Sequence, residues 1–93
     1  MNQNEIYEVG QIYLIRTVTM YNAGRLVFVG NGELVLEDAC WIADTGKYSE
    51  ALLNINALNE IEMYPQGKKV IIGRGAIVDA VIPNWTELPT ETK

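Results

Sequence analysis

Gly73-Arg74-Gly75-Ala76-Ile77-Val78 is the most informative segment of this 93-residue chain, because it lies between two short apolar runs, 70–72 and 80–82. Both runs are rich in β-branched residues, which favour strands. An Arg-Gly pair between two such runs predicts a sharp reversal of the chain, since glycine adopts positive φ without a steric clash. The reversal would leave the long cationic side chain of Arg74 projecting from the turn.

A second segment, residues 24–39, predicts a β-hairpin. It reads Gly-Arg-Leu-Val-Phe-Val-Gly-Asn-Gly-Glu-Leu-Val-Leu-Glu-Asp-Ala. Two glycines around Asn31 are a tight-turn signal between apolar runs. We therefore expect one strand from Arg25 to Val29 and a return strand from Glu33 to Ile42.

Together the two segments resemble the paired motifs of the Sm and Sm-like (LSm) RNA-binding proteins. The first motif runs Gly-x-Leu, a hydrophobic residue, an acidic loop ending in Met-Asn, a hydrophobic triplet, one spacer and Asp-Ala. The residues that match it are Gly24, Leu26, Val29, Leu34, Val35, Leu36, Asp38 and Ala39. In the second motif an Arg-Gly, matched by Arg74 and Gly75, ends the fourth strand, and a hydrophobic residue three places on begins the fifth. In general appearance, without a diagnostic motif, the chain also resembles small Sm-like proteins encoded by phages or found in marine metagenomes.

The resemblance implies a fold, an assembly and a ligand. The fold is mainly β: a small, strongly bent, five-stranded open barrel of Sm-like type, here with one short helix in an insert. Sm-type barrels pair the fourth strand of one subunit with the fifth strand of the next, which implies a homo-oligomeric ring of about five to seven copies. The ring would bind single-stranded RNA or DNA, with RNA expected, and act in its processing. Arg74 and Gly75 would form one wall of a narrow site, and the loop with Asn31 and Glu33 the other.

The loop departs from the family pattern at the positions that contact the base. It is one residue short, Gly30 stands at the acidic position, and Gly32-Glu33 replaces Met-Asn. In the family the Asn reads the edge of uracil, and a neighbouring side chain stacks on the base. A carboxylate only accepts hydrogen bonds, so Glu33 can accept from the uracil N3–H but cannot donate to a uracil carbonyl.

Each candidate residue also has a structural interpretation. Arg74 at a turn can pair with one of the twelve acidic side chains, and Asn31 can hold the hairpin turn. Trp41 and Tyr48 are typical of subunit interfaces, where large aromatic side chains are enriched. The alternative function is therefore a structural or adaptor ring that makes protein contacts only.

The charge predicts local rather than broad contact with nucleic acid. The net charge is −5, opposite in sign to that of a protein that follows a phosphate backbone over a wide surface. Lys68 and Lys69 form, with Arg74, the one cluster of positive charge in the sequence. The expected partners are copies of the same chain, with any nucleic acid held by a few cations in a small site.

Composition argues against an enzyme and against a membrane protein. The chain has no histidine, which removes the commonest general base and metal ligand. One cysteine, Cys40, excludes an internal disulfide, and without an activating base it is expected to be a buried apolar residue. Alternation along a strand would place Asp38 beside it. No cofactor or metal is expected. No apolar run approaches the ~20 residues that cross a bilayer, and no secretory signal begins the chain, so a cytoplasmic location is expected.

The remaining pattern predicts one domain of short strands with a small helix. The core is expected at about 11–82, with a peripheral tail at 83–93. A strand at 12–20 leads to a turn or bend at 21–24. The family places its glycine inside the second strand, and a strongly curved strand with Gly24 at the bend would satisfy both interpretations. Good helix formers predict a short helix at about 47–54. Strand segments at 60–64 and 68–72 flank a turn at 65–67, and the last strand is expected at 76–82.

Overall fold

Residues 5–93, which the computed structural model describes, form a mainly β fold. One antiparallel sheet contains six strands: β1 (Ile12–Thr17), β2 (Tyr21–Val29), β3 (Glu33–Asp44), β4 (Glu60–Met63), β5 (Val70–Gly73) and β6 (Ile77–Val81). A short helix, α1 (Tyr48–Leu53), follows β3, and 3₁₀ turns lie at Ile55–Ala57 and Arg74–Ala76. The all-β class, the short helix and the hairpin are confirmed, but the sheet has six strands rather than five.

The strand order is β4-β3-β2-β1-β6, and β5 also pairs with β3. The second half of the long strand β3 pairs with β4, and its first half pairs with β5. The segment 60–73 therefore forms one edge of the sheet in two pieces. The predicted turn between the pieces is confirmed, because the Lys68 amide donates to the Pro65 carbonyl at 3.1 Å and Gly67 adopts a φ of 84°.

A β-bulge bends the hairpin of β2 and β3. Ala23 pairs with Cys40 and Arg25 pairs with Glu37, so Gly24 alone faces two residues of β3. One of the two, Asp38, has a φ of 51°. Such an extra residue bends the strand and increases its twist. Of the two arrangements predicted for 21–24, the turn is wrong, since β2 already begins at Tyr21, and the curved strand with its bend at Gly24 is confirmed.

The bulge also separates two residues that simple alternation would place together. Ala39 and Cys40 are consecutive, yet both are buried, while Asp38 is exposed. The predicted side-by-side arrangement of Asp38 and Cys40 is therefore wrong, because the extra residue shifts the alternation by one position.

Gly24 is required by a close approach of the two strands. A Cβ at this position would lie 2.9 Å from the Cβ of Ala39 and 3.0 Å from the Cβ of Leu36. These atoms are fixed by the backbone and cannot rotate away. We expect Gly24→Ala to lower the free energy of unfolding by about 1–3 kcal/mol through overpacking. Urea denaturation measures this change.

Gly32→Ala is the matched control for that substitution. A Cβ at Gly32 would meet no described atom within 4 Å, so the expected change is within about 0.5 kcal/mol. Equal stabilities of the two variants would contradict the packing at the bulge.

The reversals at 30–32 and 73–76 do not use positive φ. The described glycines with positive φ are Gly10, Gly46 and Gly67. The chain instead reverses after β5 through the 3₁₀ turn at Arg74–Ala76, which follows Gly73 with its φ of −67°. The reversal itself was predicted, but the glycine geometry proposed for it was wrong.

The core consists of two buried clusters that share β1. Successive side chains of β1 alternate between the clusters, so both faces of this strand are covered. One cluster contains Ile12, Leu14, Ala23, Cys40, Ile42, Ala51, Leu58, Ile61, Trp85 and Leu88. The other contains Tyr13, Ile15, Leu26, Leu34, Leu36, Ala39 and Ile72.

The tail at 83–93 is part of the domain, and its predicted peripheral position is wrong. Trp85 and Leu88 are buried in the first cluster. The Trp85 Nε1–H donates to the Ala51 carbonyl of α1 at 2.8 Å. Lys93 exchanges two backbone hydrogen bonds of 2.9 Å with Ile61, so the end of the chain covers the outer edge of β4.

Candidate nucleic-acid interface

The sheet brings Arg74 against the hairpin loop that the sequence predicted as the opposite wall of a site. Glu33 of β3 pairs with Gly73 of β5, so the residue after β5 lies beside the start of β3. The Arg74 amide donates to the Gly32 carbonyl at 2.9 Å. Its guanidinium Nη1 donates to the Gly30 carbonyl at 2.8 Å. Two segments more than forty positions apart in the chain are thereby in direct contact.

The Arg74 guanidinium is also paired with a carboxylate from the start of the chain. Nη1 lies 2.8 Å from Oε1 of Glu5, and Nη2 lies 3.2 Å from Oε2. This bidentate arrangement is the preferred geometry of a guanidinium with a carboxylate. The hydrogen bonds from Arg74 hold the pKa of the Glu5 carboxyl below its ordinary value, and the same contact raises the pKa of the Arg74 guanidinium. Both groups therefore remain charged at neutral pH.

An aromatic side chain completes the surroundings of the guanidinium. The carbon of the Arg74 guanidinium lies 5.3 Å from the centre of the Tyr7 ring, within the range of a cation–π contact. The Tyr7 ring meets that of buried Tyr13 edge-on at 5.3 Å. The Tyr13 hydroxyl in turn accepts from the Glu8 amide at 2.9 Å. The segment 5–8 is thus laid over Arg74 by one ion pair and two aromatic contacts.

Glu5 and Tyr7 were not predicted as part of this site. Glu5 is 69 positions from Arg74 along the chain, and a single carboxylate near the start of a sequence belongs to no periodic pattern. The sequence predicted that Arg74 would meet either a ligand or an acidic side chain. It contained no signal that identified which of twelve carboxylates would do so.

The other predicted site residues lie around the same turn and loop. Gly75 is exposed in the 3₁₀ turn, and Asn31 is exposed at the tip of the hairpin. Glu33 is half-buried, and its carboxylate lies so close to Gly30 that a Cβ there would collide with it. The immediate surroundings of Arg74 and the loop therefore contain one guanidinium and two carboxylates, from Glu5 and Glu33.

The two lysines that precede β5 add little fixed charge to this site. Both Lys68 and Lys69 are exposed. The Lys69 Nζ lies 3.7 Å from Oε1 of Glu37, a surface pair of the kind that contributes little to stability. The cluster of positive charge in the sequence is thus divided between different acidic partners.

Three further features bear on function: the single cysteine, possible metal ligands and possible membrane-spanning helices. Cys40 is fully buried, as predicted, and burial raises the pKa of its thiol to about 11. Residues 5–93 contain no group of three or more side chains arranged to hold a metal ion. Over the same residues, none of the helices has the length and apolar character that crossing a membrane requires.

Two exposed apolar surfaces lie at opposite edges of the sheet. Cross-strand pairing aligns Phe28 with Val35 and Val35 with Ile71, and we call this row the β5 patch. Ile71 is 70% exposed. Val78 and Ile82, both more than half exposed, form the β6 patch. Among the described strands, β5 pairs only with β3 and β6 only with β1, so each patch borders an edge with no ladder partner.

Comparison with known proteins identifies no family or function for this chain. No protein-family model, curated protein or solved structure matches this chain. Its function is therefore inferred from the edges of the sheet and from the surroundings of Arg74.

Proposed function

We propose that the chain is an Sm-like subunit of a homo-oligomeric ring that binds single-stranded nucleic acid, with RNA as the expected ligand. The observation that carries the proposal is the contact between the two motif segments. The guanidinium of Arg74 donates to the Gly30 carbonyl at 2.8 Å, so the residues expected to form two walls of one site are neighbours. The bent sheet, with β1 between β2 and the last strand, is compatible with an open barrel.

The exposed edges support the ring. The β5 patch and the β6 patch are different surfaces, so pairing one with the other joins subunits head to tail. Such a contact closes into a ring when the rotation between subunits permits it, and closure leaves no sheet edge exposed. The apolar side chains beside both edges are the kind of surface that a soluble protein covers by association.

The surroundings of Arg74 support a narrow nucleic-acid site. A guanidinium can pair with a phosphate through two hydrogen bonds or stack on a base. In a ring, one such group per subunit would gather positive charge around a mouth despite the net charge of −5.

Titration of fluorescent poly-U, poly-A and single-stranded DNA oligomers at low and moderate salt tests this function. Arg74→Ala is expected to weaken binding by on the order of 1–3 kcal/mol per contacted base. Lys68→Ala, the control for loss of one positive charge, is expected to weaken binding slightly and only at low salt. Native mass spectrometry of each variant verifies that the assembly is unchanged. Failure to bind any oligomer at low salt, by the wild-type protein and also by a variant that lacks the Glu5 carboxylate, would reject the nucleic-acid function.

A second candidate is a structural or adaptor ring that contacts only proteins. The specific observation in its favour is that the Glu5 carboxylate already accepts hydrogen bonds from both Nη1 and Nη2 of Arg74. With Glu33 nearby, the site has more negative than positive charge in the free subunit. An intact ring without oligonucleotide binding would favour this candidate, as would loss of the ring in Arg74→Ala.

A further inference from the structure

We infer that the segment 5–8 is an autoinhibitory latch, in which the Glu5 carboxylate holds the position on Arg74 that a phosphate of the nucleic acid takes when it binds. The inference rests on the proposed function and identifies both the group that Arg74 recognises and the element that competes for it. The latch closes the site in the free protein and is displaced by the ligand.

The geometry of the ion pair is that of a phosphate contact. Glu5 presents two oxygens to Nη1 and Nη2 of Arg74 at 2.8 and 3.2 Å. A phosphodiester presents two unesterified oxygens to a guanidinium in the same way. One set of donors cannot serve both anions, so the two are mutually exclusive.

Arg74 keeps its position when the carboxylate leaves. Its amide donates to the Gly32 carbonyl, and its Nη1 also donates to the Gly30 carbonyl. Neither contact involves the segment 5–8. The guanidinium is therefore held against the hairpin loop and remains available to a new anion.

The latch can open without breaking the strand pairing of the sheet, although Tyr7 then leaves its packing against the second core cluster. The regular pairing of the chain start with the sheet begins at Gly10, whose amide donates to the Leu26 carbonyl at 2.7 Å, and continues with the Leu26 amide donating to Gln11. Gly10 has a φ of 96°, a conformation that suits a hinge. Before it, Ile6 and Val9 are 81% and 64% exposed. Tyr7 and the Glu8 amide make the contacts that hold the segment down.

Glu5→Gln tests the latch, with Glu8→Gln as the control. Both substitutions remove one negative charge from the same segment, but in the described structure only the Glu5 side chain is paired with Arg74. If the latch is closed in about nine tenths of free molecules, opening it raises the apparent affinity for oligouridylate about tenfold. Glu8→Gln is expected to change the affinity by less than about twofold, through its charge alone.

Hydrogen exchange supplies a second readout. Saturation of the wild-type protein with oligouridylate should accelerate exchange of the Glu8 amide, since displacement of the latch breaks its bond to Tyr13. The Leu26 amide, which bonds on the sheet side of the hinge, should not change. Acceleration at both positions would indicate general loosening and would contradict the latch.

The outcomes separate the latch from the proposed function. If wild type and Glu5→Gln bind oligouridylate equally, the latch is rejected and the nucleic-acid function stands. Weaker binding by Glu5→Gln also rejects the latch, because Glu5 would then position Arg74 for its ligand. Binding by Glu5→Gln alone supports both. Binding by neither rejects the function and the latch together.

Discussion

Replacement of Trp85 by Ala is expected to remove about 3–5 kcal/mol from the free energy of unfolding, the range for truncating a buried aromatic residue. Trp85 is 7% exposed within the first core cluster, and its Nε1–H donates to the Ala51 carbonyl at 2.8 Å. Domains of this size are stable by roughly 0.05–0.15 kcal/mol per residue. The substitution therefore removes a large share of the total, and denaturation in urea or by heat measures it.

Two further variants identify the source of that loss. Trp85→Phe keeps most of the apolar volume but removes the donor to Ala51, so an intermediate loss of about 1–3 kcal/mol is expected from the unpaired carbonyl. Glu87→Ala changes an exposed side chain of the same tail and is expected to change stability by less than about 0.5 kcal/mol. A Trp85→Ala protein as stable as Glu87→Ala would mean that the tail does not belong to the core.

The burial of Trp85 illustrates which parts of the fold the sequence could not predict. The hairpin of β2 and β3 and the helix α1 were predictable because glycines, β-branched residues and helix formers act over a few neighbouring positions. Trp85 stands alone in a polar segment with no periodicity, and its position depends on a space between α1 and the sheet. Only the assembled core provides that space.

The sequence left two arrangements open at Gly24 for a related reason. Locally, Asn22 and Gly24 favour a turn, and residues 21–24 were interpreted either as a turn or as a strongly curved strand with its bend at Gly24. Gly24 lies in a strand, and the residue there must be glycine because Leu36 and Ala39 leave no room for a Cβ. A tertiary contact thus required the same residue that a turn would have preferred.

In the candidate site, too, the features set by neighbouring residues were predicted, and the contact between residues far apart in the sequence was not. Arg74 was predicted from its neighbours in sequence, and its approach to the 30–33 loop followed from the resemblance of the two segments to one family. Its pairing with Glu5 depends on where the chain start crosses the sheet.

If the proposed ring forms, Ile71→Asp and Val78→Asp are each expected to prevent assembly and leave a monomer. The first substitution places a charge in the β5 patch and the second in the β6 patch. Both native side chains are more than half exposed, so the folded subunit should tolerate either change, while a charge in an apolar contact carries a large desolvation cost. Leu53→Asp, which makes the same change at an exposed residue of α1, should not affect the proposed assembly.

Mixing the two variants distinguishes a ring from other assemblies. Ile71→Asp retains the β6 patch and Val78→Asp retains the β5 patch, so one intact contact can form between them. A head-to-tail interface therefore predicts a heterodimer in the mixture and no larger species, measured by native mass spectrometry. A symmetric contact of the β5 patch with itself predicts instead that Val78→Asp alone still dimerises and that mixing produces nothing new. A wild-type protein that is monomeric at micromolar concentration would reject the ring altogether, because both apolar edges would then be stable in water without a partner.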